Sequence, residues 1–193
     1  MVTGWQHLKY GNLYNGNAYW NYFNSSGAFA TDSDVKGCSH GYSNYSAHKC
    51  TSGCTLKYCI STSKKSSSDI RGAANNWNNA SNCSASLTEG SGSLSCHINV
   101  TSSTRFNPNV LATTYYFYNG NTTKPQNTNW SGCQIDLNEN ISTAKSTITH
   151  EFGHAFGLSH RISDKNSIMC QTGQGRTANV PSAGDIAGIN HLY

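Results

Sequence analysis

Charge is scarce in this chain: Lys and Arg number 13, and Asp and Glu 9, among 193 residues. The formal net charge of +4 is thinly spread, and Lys64-Lys65 is only a short pair. Scattered, solvated lysines of this kind give no footing to nucleic acid or to a charged membrane surface. Long apolar runs are also missing, so nothing approaches the ~20 residues of a membrane-spanning helix. The stretch from Met1 to Trp20 has no apolar signal core. A secreted form would therefore have lost its signal, with Met1 added for expression. No repeat of fixed period occurs. No tandem C-x-x-C pair occurs either, which excludes a zinc ribbon on spacing.

Neutral polarity fills the space. Asn, Ser, Thr, Gly and Tyr are abundant, and hydrophobic residues make up 36%. Such a surface suits an extracellular protein. The eight cysteines, Cys38, Cys50, Cys54, Cys59, Cys83, Cys96, Cys133 and Cys170, are even in number and widely spaced. Disulfides in an oxidising compartment are the natural reading, and the sequence does not choose among the possible pairings. The length fits one domain with a sizeable core.

Residues 1–50 show no clean periodicity and read as an irregular N-terminal segment, tethered by disulfides, with turn signals such as Asn15-Gly16. Residues 51–193 are the expected folded domain. Thr55 to Thr62 alternates as a strand does, with Leu56, Tyr58 and Ile60 on one face. A helix is expected from about Ser68 to Ala80, with Ile70, Ala73, Ala74 and Trp77 at helical spacing and Asp69 in the first turn. Strands follow at Cys96–Thr101, at Val110–Tyr118 before the turn dipeptide Asn119-Gly120, and at Gly132–Leu137. The clearest helix starts near Ser142–Ser146 and ends at Gly157. The last runs from about Ser182 to Leu192, with Ser182 and Asp185 spaced as a capping box. Strands before and between helices argue for a mixed α+β fold with one sheet.

The decisive segment is His150-Glu151-Phe152-Gly153-His154-Ala155-Phe156-Gly157-Leu158-Ser159-His160. With a turn of about 100° per residue and Ile148 at zero, Phe152, Ala155 and Phe156 form one stripe. His150 and His154 fall opposite, at roughly 200° and 240°. One helix can thus dock its apolar face while two imidazoles, one turn apart, grip a single ion. Glu151 points beside the pair, within reach of a metal-bound water rather than of the metal. Gly157 can take a left-handed conformation and turn the chain back. That return lets His160 supply a third nitrogen, leaving a fourth position open as catalytic zinc requires. Glu151 is then the general base for peptide-bond hydrolysis. A lone His on such a helix would be an ordinary core or surface residue; the added Gly and third His at fixed spacing argue otherwise.

This H-E-x-x-H-x-x-G-x-x-H pattern resembles the signature of the metzincins, a clan of zinc endopeptidases. Ser167-Ile168-Met169 follows at a suitable distance, and Met169 resembles the clan's Met-turn methionine, a packing element rather than a ligand. From about Thr55 to Tyr193 the chain is most similar to a matrixin. The similarity includes the helix with Trp77, the strand Leu111-Ala112-Thr113-Thr114, the strand Gln134-Ile135-Asp136-Leu137, and the ending Asp185-Ile186-Ala187-Gly188-Ile189-Asn190-His191-Leu192-Tyr193. The resemblance implies a zincin-like catalytic domain: a twisted, mixed, mostly parallel five-stranded sheet over the zinc helix, a C-terminal helix, and a lower subdomain from about residue 158. It also implies one catalytic zinc, with calcium left open, and protein or peptide substrates paired along a sheet edge. A monomeric, secreted enzyme without membrane insertion is expected.

Departures from the matrixin pattern are specific. Arg161 stands where Ser or Thr is usual. The strand at Leu111 lacks the family's structural-zinc histidine, and His97 alone cannot make that site. Gln171 stands where astacin- and serralysin-like enzymes carry Tyr. Cys170, next to Met169, is expected to tie the Met-turn by a disulfide.

Other features compete for chemistry. Cys38, His40, His48 and Cys50 could hold a structural zinc, although disulfides explain the cysteines better. Cys38 could block the metal from upstream, but Lys36-Gly37-Cys38-Ser39-His40 does not match the family's pro-segment motif. Sequons such as Asn44-Tyr45-Ser46 and Asn121-Thr122-Thr123 are expected by chance in this composition. Two rival functions are a non-catalytic zinc-containing binding module and a disulfide-stapled adhesion or carbohydrate-binding domain. The intact Glu151 opposes the first, and the three histidines oppose the second. The extent to which residues 1–50 inhibit or support the domain is also open, as in a latent zymogen.

Overall fold

A computed structural model of the chain describes residues 4–9, 18–23, 54–92, 96–118, 120–123, 130–161 and 163–193. The less favoured candidates for a second zinc site, at Cys38, His40, His48 and Cys50, and for an upstream block, at Cys38, lie outside the described residues.

Within the N-terminal segment, β1 (Gly4–Lys9) and β2 (Ala18–Phe23) pair antiparallel, from Gly4 opposite Phe23 to Lys9 opposite Ala18. The expectation of a wholly irregular segment is corrected there. Trp, Tyr and Phe favour strands, but a run such as Ala18-Tyr19-Trp20 hides the alternation that period counting needs.

The main sheet has six strands in the order β4-β3-β5-β8-β6-β7. β3 (Cys54–Ile60) alternates buried and exposed from Cys54 to Tyr58, as its sequence predicts. It pairs parallel with β4 (Ala85–Glu89) and β5 (Ile98–Ser103), and β5 pairs parallel with β8 (Gly132–Asn138). β6 (Ala112–Tyr118) runs antiparallel to β8, and β7 (Asn121–Thr123) antiparallel to β6. The five-strand expectation becomes six because Gly120, at φ +79°, turns the chain back and sets Asn121 opposite Tyr118. β4 was hidden in the sequence because only Ala85 and Leu87 of its five residues turn towards the core.

Two helices cover one face. α1 (Ser67–Asn78) is capped by Ser66, whose hydroxyl accepts from the Asp69 amide, and buries the expected Ile70, Ala73, Ala74 and Trp77. α2 (Lys145–Phe156) lies beside it. The Trp77 indole donates to the Thr149 carbonyl at 2.9 Å and meets Phe156 edge-on. Phe152 packs edge-on against Tyr58 of β3, so α2 is fixed to the sheet by its apolar stripe. α3 (Ala183–Leu192) carries the predicted capping box between Ser182 and Asp185.

Cys59 and Cys96 form a disulfide, and Cys54 is also disulfide-bonded. Cys83, Cys133 and Cys170 are thiols. The expected disulfide at Cys170 is therefore corrected: its Sγ donates to the Gln171 carbonyl at 3.6 Å, and Asp185 fastens the turn instead.

Candidate active site

α2 delivers its polar stripe to a cleft of about 520 Å³, which His150, Glu151, His154 and His160 all line. The helix ends where the sequence predicts. Gly157 sits at φ +108°, and the Leu158 amide donates to the Gly153 carbonyl at 3.0 Å, closing the last turn. The reversed chain brings His160 over the helix. His154 Nε2 then lies 3.1 Å from both His150 Nε2 and His160 Nε2.

Two of the three rings have a tautomer fixed by a backbone carbonyl. His150 Nδ1 lies 2.7 Å from the Ile168 carbonyl, and His154 Nδ1 lies 2.7 Å from the Leu158 carbonyl. A carbonyl only accepts, so each Nδ1 carries the hydrogen and each Nε2 presents a lone pair. Desolvation of the rings pushes His154 down to about 4 and, with the charge of its neighbour His154, His160 down to about 3, and holds His150 well below its ordinary value. The Nε2 lone pairs of His150 and His154 face each other at 3.1 Å, an arrangement that a cation between them would satisfy. The three side chains could hold one metal ion, and their donor chemistry suits zinc.

Glu151 is buried beside them. Thr114 of β6 donates its hydroxyl to Glu151 Oε2 at 2.6 Å. Burial raises the carboxyl to about 7, against the opposing pull of the Thr114 hydrogen bond and the Arg176 charge. Tyr116, two residues along the same strand, donates to the His154 carbonyl at 3.1 Å. β6 thus grips α2 at both functional residues.

Below the histidines, Ser167, Ile168 and Met169 form a fully buried turn, closed by the Cys170 amide donating to the Ser167 carbonyl at 3.1 Å. Asp185 accepts from Ser167 Oγ at 2.5 Å and from the Ile168 amide at 2.9 Å. Met169 packs under Gly153: a Cβ there would fall against its Sδ and lie 3.0 Å from Trp77 Cζ2. Arg161 does not line the cleft; it is buried, pairs with Asp164 at 3.2 Å and lies against Gly184. Gln171 does line it.

The sequence offered no sign that Thr114, Gly153 and Arg176 belong to this site. Each touches it through a partner distant in sequence, and only the tight Gly153 within the motif hints at close approach. Arg176 enters the cleft from the segment that follows the Met169 turn.

Among solved structures, two of myroilysin are similar at 16% identity. One has a TM-score of 0.48, covering 75% of this chain and 95% of that one; the other has 0.49, covering 85% and 96%. High choriolytic enzyme 1, a hatching enzyme zinc-protease from Oryzias latipes (Medaka fish), is 22% identical with a TM-score of 0.36, covering 60% of this chain and 55% of its own. No curated protein sequence matches. The matrixin family model of peptidases matches residues 55–193. That span contains both helices of the core, the three histidines, Glu151 and the Met169 turn, and the chain belongs to the matrixin family of zinc metalloendopeptidases.

Proposed function

We propose that the protein is a secreted endopeptidase in which His150, His154 and His160 hold a catalytic zinc and Glu151 is the general base. One observation carries this reading: the Nε2 atoms of three histidines converge in the cleft that also holds the buried Glu151 carboxyl. A zinc ion held there supplies Lewis acidity, which makes a water acidic and polarises a carbonyl. Thr114 occupies Oε2 of Glu151 and fixes the carboxylate, which leaves Oε1 to take the proton of the attacking water. The same oxygen then returns the proton to the leaving amine. A proton affinity near neutrality, the result of burial, suits both steps. Met169 serves as the packing floor.

The substrate lies extended along β6. β7 pairs only with Tyr116 to Tyr118, so among the described residues Ala112 to Tyr115 pair on one side alone, with β8. A peptide adding to that edge passes over the histidines, since Ala112, Thr113 and Thr114 line the same cleft. The Cys59–Cys96 disulfide supports an oxidising, extracellular setting. The protease works as a monomer, with catalytic residues drawn from 51–193 and a lower subdomain from about residue 158.

The test is cleavage of an unfolded protein such as casein by the zinc-loaded chain, with Glu151→Ala alongside. Cutting by the parent and none by a variant that still binds zinc is the expected result. A variant as active as the parent would remove Glu151 from the reaction. If neither cuts but residues 51–193 alone do, residues 1–50 act as an inhibitor.

A further inference from the structure

Arg176 follows Gly175, whose φ of +85° ends the short 3-10 turn Thr172–Gln174 and turns the chain back towards the cleft. Its Nη1 donates to the carbonyls of Ile168 and Cys170, and its Nη2 to Thr147 Oγ1, each at 3.3 Å. All three acceptors are neutral and all three bonds are long. A guanidinium has five N–H donors in a rigid fork, so donors remain. Among the described residues no carboxylate forms an ion pair with it, whereas Arg71 and Arg161 each have one.

Among the described residues lining the cleft, Arg176 is also the one Lys or Arg. A half-buried guanidinium whose hydrogen bonds all go to neutral acceptors can still take an anionic partner from the cleft. Two backbone carbonyls of the buried Met169 turn hold the fork in place beforehand. Pre-placed guanidinium forks of this kind suit carboxylates in two-point contact.

We propose that Arg176 makes the recess beside the histidines a carboxylate pocket, so that the enzyme selects substrates with an Asp or Glu side chain next to the cleaved bond. This rests on the peptidase reading above. Arg176 is a specificity residue, not a group that takes part in bond breaking.

The test uses the full zinc-loaded chain and a peptide library varied at each position flanking the cleaved bond. At one position Asp or Glu is expected to exceed the isosteric Asn or Gln by about ten- to a hundredfold in kcat/KM, the range of one charge-assisted contact. The ratio should shrink as salt rises. Arg176→Gln should erase it, and Arg176→Glu should shift the preference towards Lys and Arg, which a merely structural arginine would not do. Equal cleavage of acidic and amide peptides by the parent overturns the proposal, whether or not the variants fold.

Binding gives an independent readout. Zinc-loaded Glu151→Gln is titrated with uncleaved peptides that differ only as Asp against Asn, with free or amidated C-termini. Tighter binding of the Asp peptide with either terminus supports the side-chain pocket. Binding that follows the free terminus alone overturns it in favour of chain-end recognition. If neither the parent nor residues 51–193 alone cleave anything, the peptidase reading fails by itself, and this binding arm still decides the role of Arg176.

Discussion

Ser167 donates its hydroxyl to Asp185 Oδ1 at 2.5 Å, fastening the turn beneath the histidine cluster to the first turn of the last helix. Asp185 Oδ2 also accepts from the amides of Ile168 and Ser182 and from the Ser182 hydroxyl. One carboxylate therefore caps α3 and positions Ile168, whose carbonyl in turn orients His150. Asp185→Ala leaves these donors buried without an acceptor, and should cost about 3 kcal/mol or more of unfolding free energy. Chemical denaturation measures that loss, and zinc affinity should fall with it. Unchanged affinity in the folded fraction would separate α3 from the site.

Thr114 restrains Glu151 through a short hydrogen bond at 2.6 Å. Thr114→Val keeps the shape and removes the hydroxyl. It should lower kcat by about tenfold, with KM little changed, because the lost contact positions a proton acceptor rather than the substrate. Thr114→Ser should recover most of the rate. Equal losses in the Ser and Val variants would point to packing instead.

Metal removal should make His154 a source of acid lability. In the folded state His154 is held near 4 and His160 near 3, whereas an unfolded imidazole titrates near about 6.5. Between about pH 6.5 and 4 these rings make the unfolded chain bind more protons and so lower stability as pH falls, while Glu151 and Asp185, each raised to about 7, act in the opposite direction. His154 by itself sets a slope approaching ~1.4 kcal/mol per pH unit. Urea midpoints of the chelated parent and of His154→Gln, taken from pH 7.5 down to 4.5, should diverge, the parent losing stability relative to the variant as pH falls. Parallel profiles would contradict the burial of His154.

Gly157 carries φ +108°, and a Cβ there would lie 3.2 Å from both Leu192 and Trp130. Gly157→Ala adds the left-handed backbone penalty, about 1 kcal/mol, to a crowded contact. Stability should drop, and zinc affinity should drop further than for a surface Gly→Ala, because the turn sets the register of His160. Calorimetry of zinc binding checks the second point.

The Cys59–Cys96 disulfide closes a separation of 37 residues between neighbouring strands. Its loss as the double Ser variant should cost about 4 kcal/mol on loop-closure entropy. A melting temperature unchanged by the double substitution would show that strand pairing alone holds β3 and β5.

Much of the site was legible because the chemistry is local. His150 and His154 share a helical face by period, Gly157 marks the reversal, and His160 follows it within reach. The capping box of α3 and the apolar stripe of α1 were legible for the same reason. β4 and β7 were not: a short edge strand buries too little to print an alternation, and the fold-back at Gly120 takes its partner from the strand before it.

The sequence by itself determined the family, the helix that carries His150, Glu151 and His154, and the turn that brings His160 back to them, since each depends on residues a few positions apart along one helix and its turn. Only the tertiary structure decided what surrounds them. Thr114 meets Glu151 because β6 lies beside α2 in the sheet order, 37 residues away in sequence. Met169 lies under Gly153 because the chain returns after His160, and Arg176 enters the cleft because Gly175 turns it there. Contacts across sheet and turn depend on how elements pack, and no period in the sequence encodes that.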